Sequence, residues 1–312
     1  QSMLKYFINR LGISIVTLAI VITSVFFLVR LAPGGPFDGE RRLPVEIEKN
    51  LKAAYHLDKP LSEQFFLYCK NLIKGDLGPS FRQKDFSVSQ LIASGLPVSV
   101  LLGFLALLLA LTIGCSVGIF CGANQGHPVD RLLMSVNNLN LAVPSIVSSP
   151  ILILIFAVAL SWFPAGGALS FQHYILPATA LGLPFSAAIA RLMRGSLIES
   201  KSEPHIMTAR SKGLNESRII LVHCLPSAMI PILSFLGPAA ASLITGSVVV
   251  EQIFDLPGIG RYFVQGAINR DYTLVMGVVI VYSTAILLFN LVIDLSYGFF
   301  DPKMARNQDT EA

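Results

Sequence analysis

The sequence predicts an all-α integral membrane protein with six transmembrane helices and both termini in the cytoplasm. Three observations predict it. Of the 312 residues, 53% are apolar and only 13% carry a formal charge, about half the ~25% of an average globular chain. The mean hydropathy is +0.66. Long charge-free runs recur, each sized for one or two helices across a bilayer. A water-soluble globule of this composition would expose more apolar surface than soluble proteins tolerate, which excludes an ordinary cytoplasmic enzyme.

Charge at bilayer depth is costly, so the uncharged stretches locate the spans. Gln1-Ser2 ahead of Met3 reads as an expression remnant and is set aside. After a cytoplasmic start of 1–10, the run between Arg10 and Arg30 gives the first span, 11–30. Leu31-Ala-Pro-Gly-Gly-Pro36 offers no small-x-small cleavage site, so this reads as a retained helix. Residues 86–129 are uncharged, and their apolar part gives span two, 97–121. The run 132–190 is too long for one helix, and Ser161-Trp-Phe-Pro-Ala-Gly-Gly167 divides it into spans of 139–160 and 175–191. Trp162, the single tryptophan, suits the membrane–water interface at that divide. The run 219–250 supplies span five, 227–250, after Pro226, and 272–293 supplies span six, 273–294. The expected membrane core domain is 97–296, followed by a cytoplasmic tail of 295–312.

Orientation follows from cations in short loops. The side holding both termini carries Lys5, Arg10, Arg131, Arg191, Arg194, Lys201, Arg210, Lys212, Arg218, Lys303 and Arg306. The other side has none between spans three and four, and only Arg261 and Arg270 between five and six. Loops 122–138 and 192–226 are therefore expected inside, and 31–96, 161–174 and 251–272 outside.

The net charge of +4 is too small and scattered for a nucleic-acid binder. Cys69, Cys115, Cys121 and Cys224 lack metal-ligand spacing. His56, His127, His173, His205 and His223 fall in loops or near span ends, so no metal or acid–base set is visible. No catalytic, cofactor-binding or metal residues are assigned.

In the large external loop, Ile47, Leu51, Ala54 and Tyr55 recur at helical spacing among Glu46, Glu48, Lys49 and Lys52. Phe65, Phe66, Cys69, Leu72 and Ile73 form a second amphipathic set, closed by Gly75. Glu48, Lys52, Tyr55, Phe65 and Phe66 could receive an external partner, or the loop could simply pack as a lid. Span two contains Gly114, Gly118 and Gly122, four apart, which reads as a helix-packing seam or as the lining of a pathway. Asn290 and Asp294 read as a solvated helix end.

The loop from Arg191 to Pro226 far exceeds what joining two helices requires. Pro204 can open a short helix and Gly213 can end it at a left-handed cap. Asn215 then caps a further helix, with Glu216 well placed for its dipole. Such an elbow could dock in a partner's groove or lie as a basic loop against anionic headgroups.

Thr208-Ala-Arg-Ser-Lys-Gly213 followed by Leu225-Pro226 resembles the cytoplasmic signature of ABC importer permeases. Ala209, Gly213, Leu225 and Pro226 match that signature, Met207 stands where it has Glu, and His223 where it has Ile. The departures fit the peptide/nickel branch of the family. Gly75-Asp-Leu-Gly-Pro-Ser80, Gly246-Ser-Val-Val-Val-Glu251, Leu256-Pro-Gly-Ile-Gly260, Asn269-Arg-Asp-Tyr272 and Asp301-Pro302 also look like this branch, as does Arg30 through Pro36.

The resemblance implies a type I ABC importer permease in the bacterial inner membrane, working by alternating access. It implies a second similar permease, two cytoplasmic ATPases, a periplasmic or lipid-anchored peptide-binding protein and an oligopeptide substrate. The ATPase-coupling residues it implies are Glu203, His205, Ile206, Thr208, Ala209, Arg210, Lys212, Gly213, Leu225 and Pro226. The sequence has no G-x-x-x-x-G-K-[ST] loop, so ATP and Mg2+ are expected in the partner ATPases and no cofactor in this chain. Import of dipeptides, nickel or glycan-derived peptides stays open within the family. An ion-coupled secondary transporter would call for inverted repeats and charges at midplane, and neither is seen.

Overall fold

The computed structural model describes residues 2–31, 57–83 and 85–300. Its regular elements are helices. α1 spans Ser2–Leu31, α2 Leu61–Ile73, α3 Val88–Ala123 and α4 Pro128–Ala142. α5 (Ser145–Leu152) continues as a π-helix over Ile153–Ala159, and a 3-10 turn at Phe171–Tyr174 leads into α6 (Ile175–Lys201). α7 spans Pro204–Ser211 and α8 Glu216–Arg218, followed by a π-helix at Ile219–Cys224. α9 (Leu225–Ala228), α10 (Ile230–Ile253), α11 (Ile259–Ile268) and α12 (Tyr272–Phe300) complete the order.

Among the described residues, five helical segments are long and apolar enough to cross a membrane: Phe7–Leu31, Val88–Ala123, Phe171–Lys201, Glu216–Ile244 and Tyr272–Asp294. A sixth span exists only if a bent pair is counted as one, because 128–142 and 145–159 meet at 104°. The expected span of 139–160 thus falls across a bend at 143–144. Pro144 forces the break: it disfavours the helical region for Val143, which is extended at φ −93° and ψ 114°. Residues 145–159 alone would rise roughly 22 Å, short of the ~30 Å hydrocarbon core. The expected loop 122–138 is likewise mostly helical, and span four runs on to Lys201.

Two compact units result. The first contains the chain up to Gly12, Val100–Leu256 and the residues from Ile286. Its centre is the α3–α6 contact. A methyl group added at Gly114 would lie 2.7 Å from the Ser186 carbonyl oxygen, and one at Gly118 would lie 2.7 Å from that of Ala190. At Gly122 it would lie 3.0 Å from Leu197, and from the α6 side a methyl at Gly182 would reach the Ala106 carbonyl at 2.6 Å. In a bilayer, where apolar burial gives helices little reason to associate, such close dispersion contact is what holds them.

Polar clasps fix α4 on the same helix. Arg194 grips the buried Asp130 carboxylate at 2.7 and 2.8 Å, and the Gly126 N–H donates to it at 3.0 Å. Asn137 donates to the Ala187 carbonyl at 2.7 Å. Asp294, expected as a solvated helix end, pairs with Arg10 at 3.2 Å. Trp162 is exposed, its ring tilted against that of Phe156 at 5.8 Å, at the end of the α5 arm.

The second unit holds the described residues of Ile13–Ser99 and Pro257–Ala285. The Asp271 carboxylate organises it. It accepts from Leu274 N at 3.2 Å as the cap of α12, from Phe81 N at 3.2 Å, and from the Ser80 hydroxyl. Two of the family-like segments therefore meet there for structural reasons. A third, 256–260, packs so closely that a methyl at Gly95 would lie 2.9 Å from the Gly258 carbonyl carbon, while Ser99 Oγ accepts from Ile259 N at 2.8 Å.

Gly118→Ala should destabilise the first unit by about 1–3 kcal/mol, since it overpacks against backbone that cannot move aside. Gly103→Ala, with nothing within 4 Å of the new methyl group, should be neutral or stabilising by up to ~1 kcal/mol. Thermal denaturation of the two variants in detergent checks the contrast.

Candidate functional site

The elbow expected between spans four and five is built from the end of α6 to α9. α6 stops at Lys201, whose ammonium donates to Ala123 O at 3.1 Å and Gly122 O at 3.3 Å, capping the carbonyl end of α3. Glu203 is extended, and Pro204 opens α7 where a missing N–H does no harm. Gly213, at φ +78°, turns the chain through the left-handed region, so Gly213 N returns to Arg210 O at 2.9 Å. Asn215 Oδ1 then accepts from Ser217 N at 3.3 Å and starts α8.

The two faces of α7 differ in what they meet. Ile206 is fully buried and Ala209 nearly so, both packed in a cluster with Met193, Leu197, Ile219, Ile220 and Cys224. The sequence reading gave these two residues to a partner's groove. The structure turns them inward, because residues three apart share one helical stripe and this stripe faces the chain's own core. His205, Thr208, Arg210, Lys212 and Gly213 lie on the exposed face, with Glu203 half-buried at its start. Leu225 is half-buried against the same core, and Pro226 is exposed in the first turn of α9.

Two further features shape the elbow. The Arg210 guanidinium is bidentate on Glu216, at 2.5 and 3.1 Å. That exposed pair adds little net stability in water, but it fixes the angle between α7 and α8. Among the described residues nothing lies within 4 Å of a methyl group added at Gly213. Its requirement is conformational. His205 Nδ1 sits 3.0 Å from Glu203 Oε2.

Met207 is the residue that sequence reasoning missed. Its side chain is 65% exposed in the middle of α7, the one large apolar group on the outer face of that helix. The signal was present: one position after an inward Ile206, a helical residue is carried round by about 100°. It was read only as a departure from a signature.

Of the residues expected to receive an external partner, Glu48, Lys52 and Tyr55 lie outside the described residues. Phe65 packs edge-on against Phe26 at 5.1 Å and tilted against Phe27 at 5.7 Å, and is half-buried there. Phe66 is 70% exposed and stays available. The four cysteines are unbridged thiols.

The model of the family described as binding-protein-dependent transport system inner membrane component matches residues 114–306. The oligopeptide transport system permease protein OppB of Haemophilus influenzae is 48% identical over 97% of this chain and 99% of its own length. OppB of Escherichia coli is 47% identical over the same shares. The dipeptide transport system permease protein DppB of Bacillus subtilis is 38% identical over 97% of this chain and 98% of its own. Among solved structures, a chain of the MetNI methionine ABC transporter in an inward-facing conformation shares the fold. It has a TM-score of 0.59 and 18% identity, and the match covers 68% of this chain and 97% of that one. An apolar chain with this helical core, this elbow and these relatives belongs to the binding-protein-dependent transport system inner membrane component family, the multi-pass permease subunits of ABC transporters.

Proposed function

We propose that this permease carries oligopeptides inward across the bacterial inner membrane, as one of two similar permeases in a type I ABC importer. The observation that carries the substrate class is 48% identity to an oligopeptide permease over nearly the whole chain, against 38% to a dipeptide permease. Dipeptides are the second reading, because that relative also aligns over 97% of this chain. Two cytoplasmic ATPases would bind ATP and Mg2+, and a periplasmic or lipid-anchored binding protein would deliver the peptide. Both termini lie in the cytoplasm on this reading, which the excess of cations in the corresponding short loops supports.

The elbow gives the coupling a physical form. Its outer face, with Met207 flanked by His205, Thr208, Ser211 and Lys212, would enter an ATPase groove as an apolar anchor with a polar rim. Its inner face, Ile206 and Ala209, would pass the displacement to α6 and to the helix leading into α10. ATP closure would then move the elbow as a rigid piece and rock the spans outward. A peptide offers many hydrogen-bonding groups, so transport without sequence preference would use a roomy, wet path.

Uptake of labelled peptides into cells lacking other peptide importers tests the substrate class. Tri- to hexapeptides should accumulate in a manner dependent on this chain, and uptake confined to dipeptides would move the assignment to the second reading.

Met207→Asp should abolish ATPase copurification while the spans still insert, because its side chain touches little of its own chain. Ile206→Ala should instead lower the melting point of the permease, at a cost of about 2–5 kcal/mol for emptying a core site. Gly213→Asn should keep transport and Gly213→Val should lose it, since Asn tolerates positive φ and a β-branched residue does not. Equal transport by both would remove the conformational role of the turn.

A reporter active only outside the membrane should give signal when fused at Ser62 or Gly166, and none at Ser211. Signal at Ser211 would reverse the proposed orientation.

A further inference from the structure

The second unit contains a cavity of about 250 Å³ that the transport reading does not use. Arg30 lies at its wall, one residue before the end of the apolar segment Phe7–Leu31, which places it at headgroup depth. The guanidinium stands on the Phe26 ring, 3.5 Å from its centroid. Its Nε donates to Gln64 Oε1 at 3.0 Å, and Nη1 makes only long contacts, to Phe26 O at 3.4 Å and Met276 Sδ at 3.5 Å. Among the described residues no carboxylate pairs with it and none lines the cavity. Among the described residues nothing accepts from Nη2, whose two N–H groups are unspent.

Tyr68 faces the same cavity. It is 92% buried, counted from its 8% exposure, and its hydroxyl has no hydrogen-bond partner. Burial pushes that hydroxyl's pKa up, so it stays protonated and able to donate. Asn71 stands at the mouth with an exposed amide. A half-buried cation with no carboxylate partner among the described residues, and a buried, unsatisfied donor facing the same space, call for an anionic acceptor, since each would otherwise carry an uncompensated desolvation cost.

Size and setting narrow the ligand. The volume is below the roughly 300–1,000 Å³ of sites that enclose drug-sized molecules, so a peptide does not fit and a single headgroup does. The neighbouring surface of α1 exposes Ile20, Leu28 and Leu31, a track on which acyl chains can lie. Arginine's planar fork matches a phosphate in two-pronged fashion. We infer that Arg30 and Tyr68 form a binding site for a phosphate group, supplied by an anionic phospholipid of the surrounding membrane. The inference needs only that the chain crosses the membrane and is independent of which solute is carried.

Native mass spectrometry of the assembled importer, titrated with phosphatidylglycerol, tests it. Wild type should retain one lipid that Arg30→Gln holds about tenfold more weakly, the scale expected on losing a charge-assisted hydrogen bond. Tyr68→Phe removes only an oxygen without a partner, so it should fold normally and still weaken retention measurably. Equal retention by all three proteins would overturn the site. In a second arm, millimolar inorganic phosphate is added. Failure to displace the lipid supports the membrane source, whereas full displacement overturns it in favour of soluble phosphate. If Arg30→Gln leaves lipid retention unchanged but weakens capture of the binding protein, the anion is an acidic group of that partner and the lipid assignment is wrong.

Discussion

Where Gly118 passes Ala190, a single added methyl group would lie 2.7 Å from a carbonyl oxygen. The backbones of α3 and α6 thus touch, and most of the first unit depends on that contact. α6 carries the residues that hold α4, through Asp130–Arg194 and Asn137–Ala187, and its last turn carries the elbow. Small residues are needed because lipid is as apolar as leucine, so only closer packing than lipid can offer favours helix against helix. The seam works on backbone geometry, and larger side chains on either helix would separate the two.

Polar groups do the rest of the positioning, and the two buried aspartates that act as joints are both answered. Asp130 takes two bonds from Arg194 and one from Gly126. Asp271 takes backbone N–H groups from two segments and caps α12. These arrangements satisfy the rule that a buried charge is tolerated only when paired or hydrogen-bonded. They also give the segments 75–80 and 269–272 a structural role, since the two are joined at Asp271. The Arg30 and Tyr68 pair departs from the rule, and that departure is what marks its cavity as a site.

The elbow shows how a short helix can serve two surfaces. Ile206 and Ala209 fasten it to its own chain, and Met207 offers one apolar side chain to whatever comes next. The Arg210–Glu216 pair and the left-handed turn at Gly213 hold the geometry between α7 and α8. A helix fastened this way can transmit a push, because its inner face is packed rather than hinged.

Composition and charge spacing alone determined that this chain is a helical membrane protein. They located five of its apolar helices, since the cost of charge in hydrocarbon writes itself into the sequence as uncharged runs. Pro204, Gly213 and Asn215 marked the elbow because start, stop and cap residues act locally. What the sequence could not convey was direction. Ile206 and Met207 are both apolar and adjacent, and only packing against α6 and the segment 219–224 sends one inward and the other out. Phe65 and Phe66 are divided in the same way by the Phe26 ring. The sharp bend at Val143–Pro144 divides the expected span of 139–160 between two arms, a choice made by one proline within a long uncharged run. Arg210 found Glu216 because the turn at Gly213 folded them together. Local chemistry sets which elements form, and long-range packing decides which face of each one is left to act.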